Sequence, residues 1–235
     1  MYKRQAQRAL EFFLGWFADP IYLGDYPQSM KDRLGDRLPT FTSEDMKIVK
    51  GSSDFFGLNH YTTMLAAEDG GRQSESAIYG NGGLSEDQDV ALSVDPSWEQ
   101  TSMHWAIVPW GCRKLLLWIA ERYNNPVIYI TENGCSFEEE DLEMTLDDGK
   151  RIAFVESYLQ ECSLAISQGV NLKGYFLWSF MDNFEWASGY TRRFGVHHVD
   201  FKTLKRTPKR SARWFAEYID KQKLVQSKNS FNYDE

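Results

Sequence analysis

The sequence has 235 residues, of which 42% are hydrophobic and 15% aromatic, and its formal net charge is -8. That length and apolar content suffice for one sizeable core or two small ones. The acidic balance excludes non-specific binding to nucleic acid or to an anionic membrane surface, because both require a basic field.

Cysteine usage and the lack of a visible targeting segment predict a cytoplasmic location. Cys112, Cys135 and Cys162 are odd in number and show neither a disulfide framework nor a metal-ligand spacing, which favours a reducing compartment. No secretion signal is visible, and no apolar run approaches the roughly 18 residues needed to span a bilayer. No residue pattern indicates a metal or a cofactor.

The first part of the chain has the pattern of two helices followed by a strand. Apolar residues at helical spacing predict a helix over residues 5–18, which Pro20 should end. Thr42 and Ser43 are both suitable N-caps, followed by acidic residues, for a short second helix that stops at Gly51. The apolar run over residues 54–59 has the length of a strand.

The central part predicts a long loop and then alternating helices and strands. Residues 68–100 are rich in Gly, Ser, Asp and Asn, which is typical of a long loop. Helices are predicted over residues 115–123 and 148–168, and strands over residues 127–131 and 174–179. Both strands are continuous apolar runs, and a helix joins them. They therefore predict a right-handed β-α-β unit whose parallel strands are covered on both faces.

The carboxyl-terminal part contains a basic run and an expected tail. The run over residues 202–213 predicts a solvated helix start. His197 and His198 fit a short hairpin better than a metal site. Residues 224–235 are expected to be a disordered tail, and residues 1–235 to form a single domain.

Glu132 follows an apolar strand, where a buried charge costs desolvation energy and requires a partner or a function. A structural carboxylate, paired with an arginine or capping a turn, is the simplest explanation. The polar and aromatic segment over residues 178–186 favours a functional role for Glu132 instead. Both follow predicted strands, and parallel sheets place their chemistry at the carboxyl ends of their strands. A sugar ring offers its C–H face to an indole and its hydroxyls to carboxylates and indole N–H groups, and Trp178, Glu185 and Trp186 fit those roles.

Four stretches of the sequence form distinctive motifs: Asp54-Phe-Phe-Gly-Leu-Asn-His-Tyr61, Tyr129-Ile-Thr-Glu-Asn-Gly134, the segment over residues 174–190, and Arg193-Phe-Gly-Val196. These motifs resemble those of glycoside hydrolase family 1, the β-glucosidase family. Their order and intervals also match, over residues 10–218. The segments over residues 16–27 and 34–39 make the resemblance closest to intracellular fungal-type members.

The resemblance implies roles for individual residues. Glu132 would be the nucleophile that forms a covalent glycosyl-enzyme, and Tyr61 would donate a hydrogen bond to it. Six further residues would contact the substrate: Asn59 on the floor, Phe194 in the apolar wall, Trp178, Glu185 and Trp186 around the glycone, and Trp105 on the leaving-group side. A carboxylate at position 185 would repel a phosphorylated sugar, so the expected substrate is a neutral β-glucoside or short β-linked oligosaccharide.

The resemblance also implies a (β/α)8 barrel, of which this chain would contain the sixth to eighth strands with their helices. The loop over residues 68–100 would lie on its active-site side. Retaining hydrolysis needs a second carboxyl group roughly 5 to 5.5 Å from the nucleophile. The family's acid/base glutamate lies in an Asn-Glu-Pro motif, and these 235 residues contain no such motif.

Three parallel strands cannot close a barrel, so we expect exposed strand edges and an exposed apolar face. A complementary amino-terminal half, or self-association, would cover them. Two alternatives follow for the function: a carbohydrate-binding fragment that turns nothing over, and an assembly module that recruits the complementary half.

Overall fold

A computed structural model describes residues 4–68, 83–138 and 141–230. The chain divides into two compact units, so the single domain expected over residues 1–235 stays a prediction. The first unit comprises residues 1–56, 63–98 and 118–127, and the second comprises residues 57–62, 99–117 and 128–235.

Helices and strands alternate along most of the described chain. The helices are α1 (Arg4–Leu10), α2 (Trp16–Tyr22), α3 (Gln28–Leu34), α4 (Ser43–Val49), α5 (Leu84–Gln88), α6 (Pro109–Arg122), α7 (Leu142–Leu146), α8 (Gly149–Ser167) and α9 (Arg210–Ser230). The strands are β1 (Phe56–Asn59), β2 (Leu65–Glu68), β3 (Val90–Ser93), β4 (Ile128–Asn133), β5 (Leu172–Leu177), β6 (His197–Val199) and β7 (Arg206–Pro208). No helix in the described ranges is both long and apolar enough to cross a membrane.

The first predicted helix continues beyond its expected end. A π-helical turn over Glu11–Gly15 joins α1 to α2, and α2 runs past Pro20 to Tyr22. The prediction that Pro20 ends the helix is therefore wrong. A proline removes one backbone donor, and α2 ends two residues later, so only the last turn has to adapt.

Local capping signals were read correctly. Thr42 caps α4 in a capping box, in which its hydroxyl accepts from the Asp45 amide at 3.2 Å and the Asp45 carboxylate accepts from the Thr42 amide at 2.8 Å. At the end of α8, Gly169 adopts a φ of +94°, which a residue with a Cβ rarely does.

The segment predicted as a loop over residues 68–100 contains regular structure near its carboxyl end. It includes α5 and β3, and β3 pairs antiparallel with β2 from Leu65 opposite Ser93 to Glu68 opposite Val90. The apolar run in β3 is short and its partner lies some 25 residues earlier, so composition alone did not reveal it. Residues 69–82 lie outside the described residues.

The first unit has a small apolar core and a buried ionic cluster. Phe12, Met30 and Leu38 form the core. The buried Asp19 carboxylate accepts from the Arg122 guanidinium and, at 2.7 Å, from the Tyr123 hydroxyl. A buried carboxylate requires such partners.

The second unit contains a three-stranded sheet in the order β1-β4-β5. β4 and β5 are parallel and α8 connects them, which confirms the predicted β-α-β unit. The expected coverage of both faces is wrong for the described residues. Ile128 and Ile130 of β4 are buried, whereas Phe176 of β5 is 58% exposed. One face therefore packs on the core and the other remains open.

The carboxyl-terminal part differs from two expectations. β6 and β7 pair antiparallel as predicted, but Lys209, within the basic run over residues 202–213, is fully buried rather than solvated. α9 continues to Ser230, so the expected disordered tail over residues 224–235 is helical in its first part. Residues 224–230 contain neither Gly nor Pro, so nothing in them interrupts the helix. Residues 231–235 lie outside the described residues.

A buried arginine on α8 holds three loop carbonyls. The Arg151 guanidinium donates to the carbonyl oxygens of Cys135, Arg193 (3.0 Å) and Phe194 (3.1 Å). Its charge is balanced by Asp148, 2.8 Å away, whose carboxylate also accepts from the backbone and hydroxyl of Ser211. Both ions are almost completely buried, so each depends on the other and on these hydrogen bonds.

We expect Arg151→Met to lower the free energy of unfolding by about 3–5 kcal/mol, because it leaves the Asp148 charge buried without its partner. Urea unfolding followed by circular dichroism measures the change. Lys223→Met is the matched control, since it deletes a cation from an exposed pair with Asp220 that is also spaced three residues apart. Equal losses in the two variants would contradict the role of Arg151.

His60 is buried directly after β1. Its ring lies 5.9 Å from the ring of Tyr158, and burial lowers the pKa of His60 to about 4. In the unfolded chain the His60 imidazole binds a proton near pH 6.5, but in the folded chain it does so only near pH 4. Acidification through that window therefore favours the unfolded state.

Between pH 6.5 and 4, we expect His60 to contribute a loss of about 3 kcal/mol in the free energy of unfolding. Urea unfolding of the wild type and His60→Gln at several pH values measures it as the difference between the two pH profiles. The control is His104→Gln, which removes an exposed imidazole from the same unit and should leave the profile close to that of the wild type. Parallel profiles for wild type and His60→Gln would rule out a buried neutral imidazole.

Candidate active site

Tyr61 and Glu132 meet at the carboxyl ends of neighbouring strands. Glu132 is the penultimate residue of β4, and Tyr61 follows the end of β1 by two residues. The Tyr61 hydroxyl donates to Glu132 Oε2 at 2.6 Å. The two backbones are joined alongside, where the His60 amide donates to the Glu132 carbonyl at 2.9 Å. The sheet thus fixes both groups of the pair.

Tyr61 is a hydrogen-bond donor throughout the neutral pH range. Burial raises the pKa of its hydroxyl strongly, and the hydrogen bond to the Glu132 carboxylate raises it further. The negative charges of Glu132 and Glu185 act in the same direction. A phenol in this setting keeps its proton and offers it to the carboxylate.

Asn133 fixes the end of β4 between its two neighbours. Its side-chain amide donates to the His60 carbonyl at 2.8 Å and accepts from the Tyr175 hydroxyl at 2.6 Å. Its backbone carbonyl accepts from the Trp178 amide at 2.9 Å. Sequence reasoning missed Asn133, although a fully buried amide next to a strand-end carboxylate is a recognisable positioning signal.

Gly134 allows the loop after β4 to pass close to the end of β5. A Cβ at this position would lie 1.7 Å from the Trp178 carbonyl oxygen, which no side chain can tolerate. The glycine is therefore required by close backbone approach, not by its dihedral angles. It brings the segment that carries Trp178 next to the segment that carries Glu132.

Three aromatic rings line the same region. The ring centroids of Tyr61 and Trp105 are 5.2 Å apart, those of Trp105 and Phe194 are 6.1 Å apart, and those of Tyr61 and Phe194 are 6.2 Å apart. Phe194 is buried, and Trp105 is half-buried. The structure thus brings together three residues that the sequence placed at a site: Tyr61, Trp105 and Phe194.

Glu185 and Trp178 form a second polar pair within reach of Glu132. Burial raises the pKa of Glu185, a hydrogen bond with the Trp178 side chain lowers it, and the charge of Glu132 raises it. The two carboxylates therefore interact electrostatically in a partly desolvated space.

Two predicted site residues lack a contact with this group. Asn59 is exposed, and its Oδ1 accepts from the Thr131 hydroxyl at 2.6 Å. Trp186 is 81% exposed on a 3-10 turn over Trp186–Ser188, and its indole makes no hydrogen bond with the described residues. Neither contacts Glu132 or Tyr61 in this structure.

A buried carboxylate closes the base of the segment after β5. Asp182 accepts from the Arg193 guanidinium at 2.6 Å and from the Lys209 ammonium at 3.2 Å, and also from the Gly195 and Val199 amides. Two backbone hydrogen bonds reinforce this base, from the Val196 amide to the Ser179 carbonyl and from the Ser179 amide to the Phe194 carbonyl. Asp182 belongs to the segment whose polarity suggested sugar binding, but its lone pairs are occupied by structural donors.

Comparison with known proteins identifies the chain's relatives. The family model described as glycosyl hydrolase family 1 matches residues 2–224. Beta-glucosidase 4 of Oryza sativa subsp. japonica is 46% identical over 220 residues, covering 91% of this chain and 45% of that relative. A rice β-glucosidase crystal structure superposes with a TM-score of 0.81 at 42% identity, covering 90% of this chain and 46% of its own. The β-glucosidase of Trichoderma harzianum gives a TM-score of 0.82 at 41% identity, covering 92% and 47%.

Plant and fungal relatives match at similar identity, so the specific likeness to fungal-type members is not confirmed. The chain spans about 45% of the length of the relatives it matches. The sheet and its helices are accordingly part of a (β/α)8 barrel, as the motifs predicted. The chain belongs to glycosyl hydrolase family 1.

Proposed function

We propose that this chain carries the nucleophile and most of the glycone pocket of a retaining β-glucosidase. The observation that carries the proposal is the 2.6 Å hydrogen bond from the Tyr61 hydroxyl to the Glu132 carboxylate at adjoining strand ends. The β-glucosidases at 41–46% identity support the substrate class, a β-glucoside or short β-linked oligosaccharide.

In the first step, a carboxylate oxygen of Glu132 forms a bond with the anomeric carbon while the bond to the leaving oxygen breaks. Oε2 is engaged by Tyr61, so the other oxygen is the one free to attack. Water then cleaves the glycosyl-enzyme ester, and the two inversions give net retention. Tyr61 positions the carboxylate without transferring its own proton to it, because the pKa of the Tyr61 hydroxyl is strongly raised.

The glycone would stack on the Trp178 indole, with its outer hydroxyls directed towards the Glu185 carboxylate. Trp178 supplies a flat apolar face, and Glu185 accepts hydrogen bonds from outer hydroxyls. Tyr61, Trp105 and Phe194 form the aromatic wall, with Trp105 towards the leaving group. Asn59 and Trp186 would join these contacts only after a substrate or further protein covers their exposed positions.

These 235 residues contain no Asn-Glu-Pro motif, the motif that carries the family's general acid. We propose that a complementary amino-terminal half supplies this acid. Without the acid, the leaving oxygen departs unprotonated, and general acid catalysis is typically worth about 10² to 10⁴ in rate. Substrates with strongly acidic leaving groups would therefore be preferred. The cytoplasmic location stays a prediction.

A second candidate function is supported by the open sheet. In the described part of the chain, β1 and β5 are edge strands and Phe176 is exposed. Such surfaces favour assembly with a complementary half or self-association. The chain would then bind carbohydrate without turning it over until the assembly forms.

An activated 2-deoxy-2-fluoro-β-glucoside should form a stable covalent adduct with the chain, seen as a mass increase that maps to Glu132. Its leaving group needs no protonation, and the fluorine slows hydrolysis of the ester. Glu132→Gln should abolish the adduct, and Glu138→Gln, a change at an exposed glutamate in the same unit, should preserve it. Saturable glucoside binding without any adduct would instead support the carbohydrate-binding fragment.

Tyr61→Phe should slow adduct formation by about 10- to 100-fold. It removes one charge-assisted hydrogen bond, worth about 1.5–3 kcal/mol, from the attacking carboxylate. Intact-mass time courses measure the rate, with Tyr22→Phe as a control that removes an exposed hydroxyl. An unchanged rate would show that Tyr61 does not position Glu132.

A further inference from the structure

Trp105 lies on a short hairpin of the second unit, the Trp105 hairpin. Gln100 and Ala106 form the antiparallel bridge at its base, and the Thr101 amide donates to the Trp105 carbonyl at 2.9 Å. His104, the last residue of the loop between Thr101 and Trp105, has a φ of +58°, the left-handed conformation that closes three-residue hairpin loops. The backbone of Trp105 is therefore fixed within its own hairpin.

The Thr62 hydroxyl joins this hairpin to the segment that carries Tyr61. It donates to the carbonyl of Ala106, the residue after Trp105, at 2.9 Å. Tyr61 precedes Thr62 in the chain, and its ring centroid lies 5.2 Å from that of Trp105. One hydroxyl therefore fixes the hairpin relative to the phenol that donates to the proposed nucleophile.

Ser102 joins the same hairpin to the loop after β4. Its hydroxyl lies 2.7 Å from the Ser136 hydroxyl, and its amide donates to the Ser136 carbonyl at 2.9 Å. Both serines are buried, so breaking the hydroxyl contact would leave a buried polar group without a partner. Since Ser136 follows Glu132 by four residues, the hairpin is also held from the side of the carboxylate.

These contacts act on an indole that keeps part of its surface free. Trp105 is half-buried, and the rings of Tyr61 and Phe194 lie against it at 5.2 and 6.1 Å between centroids. A half-buried ring on a fixed hairpin presents its free surface in one orientation. A preorganised surface binds more tightly, because less conformational freedom is lost when the ligand arrives.

We propose that Thr62 and Ser102 are positioning residues for the leaving-group side of the site. They hold the Trp105 indole where it contacts the leaving group, and so set the preference for aromatic over small leaving groups. This inference rests on the proposed function, in which Trp105 lies towards the leaving group. It does not require turnover by Glu132, so equilibrium binding tests it.

The test is isothermal titration of the chain with p-nitrophenyl and methyl thio-β-glucosides. The two compounds share their glycone, so the ratio of their dissociation constants measures the leaving-group side alone. We expect the wild type to prefer the aryl compound by about 2- to 12-fold, the range for one aromatic pair. Thr62→Val keeps the shape of the side chain and deletes its hydroxyl. It should lower that preference by about twofold or more, with the affinity for the methyl compound unchanged.

Thr62→Ser is the matched control, because it keeps the donor and loses only a methyl group. It should retain the wild-type ratio, which a purely steric role of Thr62 would not allow. Ser102→Ala should lower the ratio as Thr62→Val does. Ser163→Ala should not, since it removes an exposed hydroxyl from α8. An unchanged ratio in Thr62→Val or in Ser102→Ala would overturn the role of that residue.

Trp105→Ala separates failure of this inference from failure of the proposed function. If Trp105→Ala lowers the aryl preference and the two hydroxyl variants do not, only the positioning role is wrong. If Trp105→Ala also leaves the ratio unchanged, or if the wild type shows no aryl preference, the leaving-group role of Trp105 is wrong as well. The adduct on Glu132 is measured independently of all these ratios.

Discussion

A single buried guanidinium organises the carboxyl-end loops of the second unit. Arg151 donates to carbonyls before and after the site segments, at Cys135, Arg193 and Phe194. Because α8 is the crossover helix of the β-α-β unit, one residue of that helix fixes the loops on either side of it. Of the aromatic wall, Phe194 is held directly by this contact, through its own carbonyl. The charge is tolerable in the interior only because Asp148 accompanies it.

The parts of the fold that sequence reasoning recovered are those whose signals are local. The β-α-β unit follows from two apolar runs and an intervening helical stripe, and the α4 cap from Thr42 and Asp45 alone. Glu132 and Tyr61 were found because long motifs surround them, and the structure brings them into contact. In each case, the signal that identifies the element or the residue comes from its neighbours along the chain.

The parts that sequence reasoning missed depend on distant partners. Asp182 lies in a segment whose polarity suggested sugar binding, but two cations later in the chain, Arg193 and Lys209, pair with its buried carboxylate. The strand β3 was hidden in a polar region because its apolar run is short and its partner β2 lies far from it in the sequence. Trp186 was expected to contact the glycone, but its side chain is 81% exposed on the turn over Trp186–Ser188.

The segment between Ser179 and Val199 is closed at its base and open at its tip. Asp182 and the backbone pairs secure the base, whereas Phe184, Trp186 and Tyr190 project from the tip into solvent. Changes at the tip therefore leave the anchoring hydrogen bonds untouched. Tips of different sequence and shape could therefore be combined with the same anchored base. Substrate choice could then evolve, or be engineered, without rebuilding the sheet.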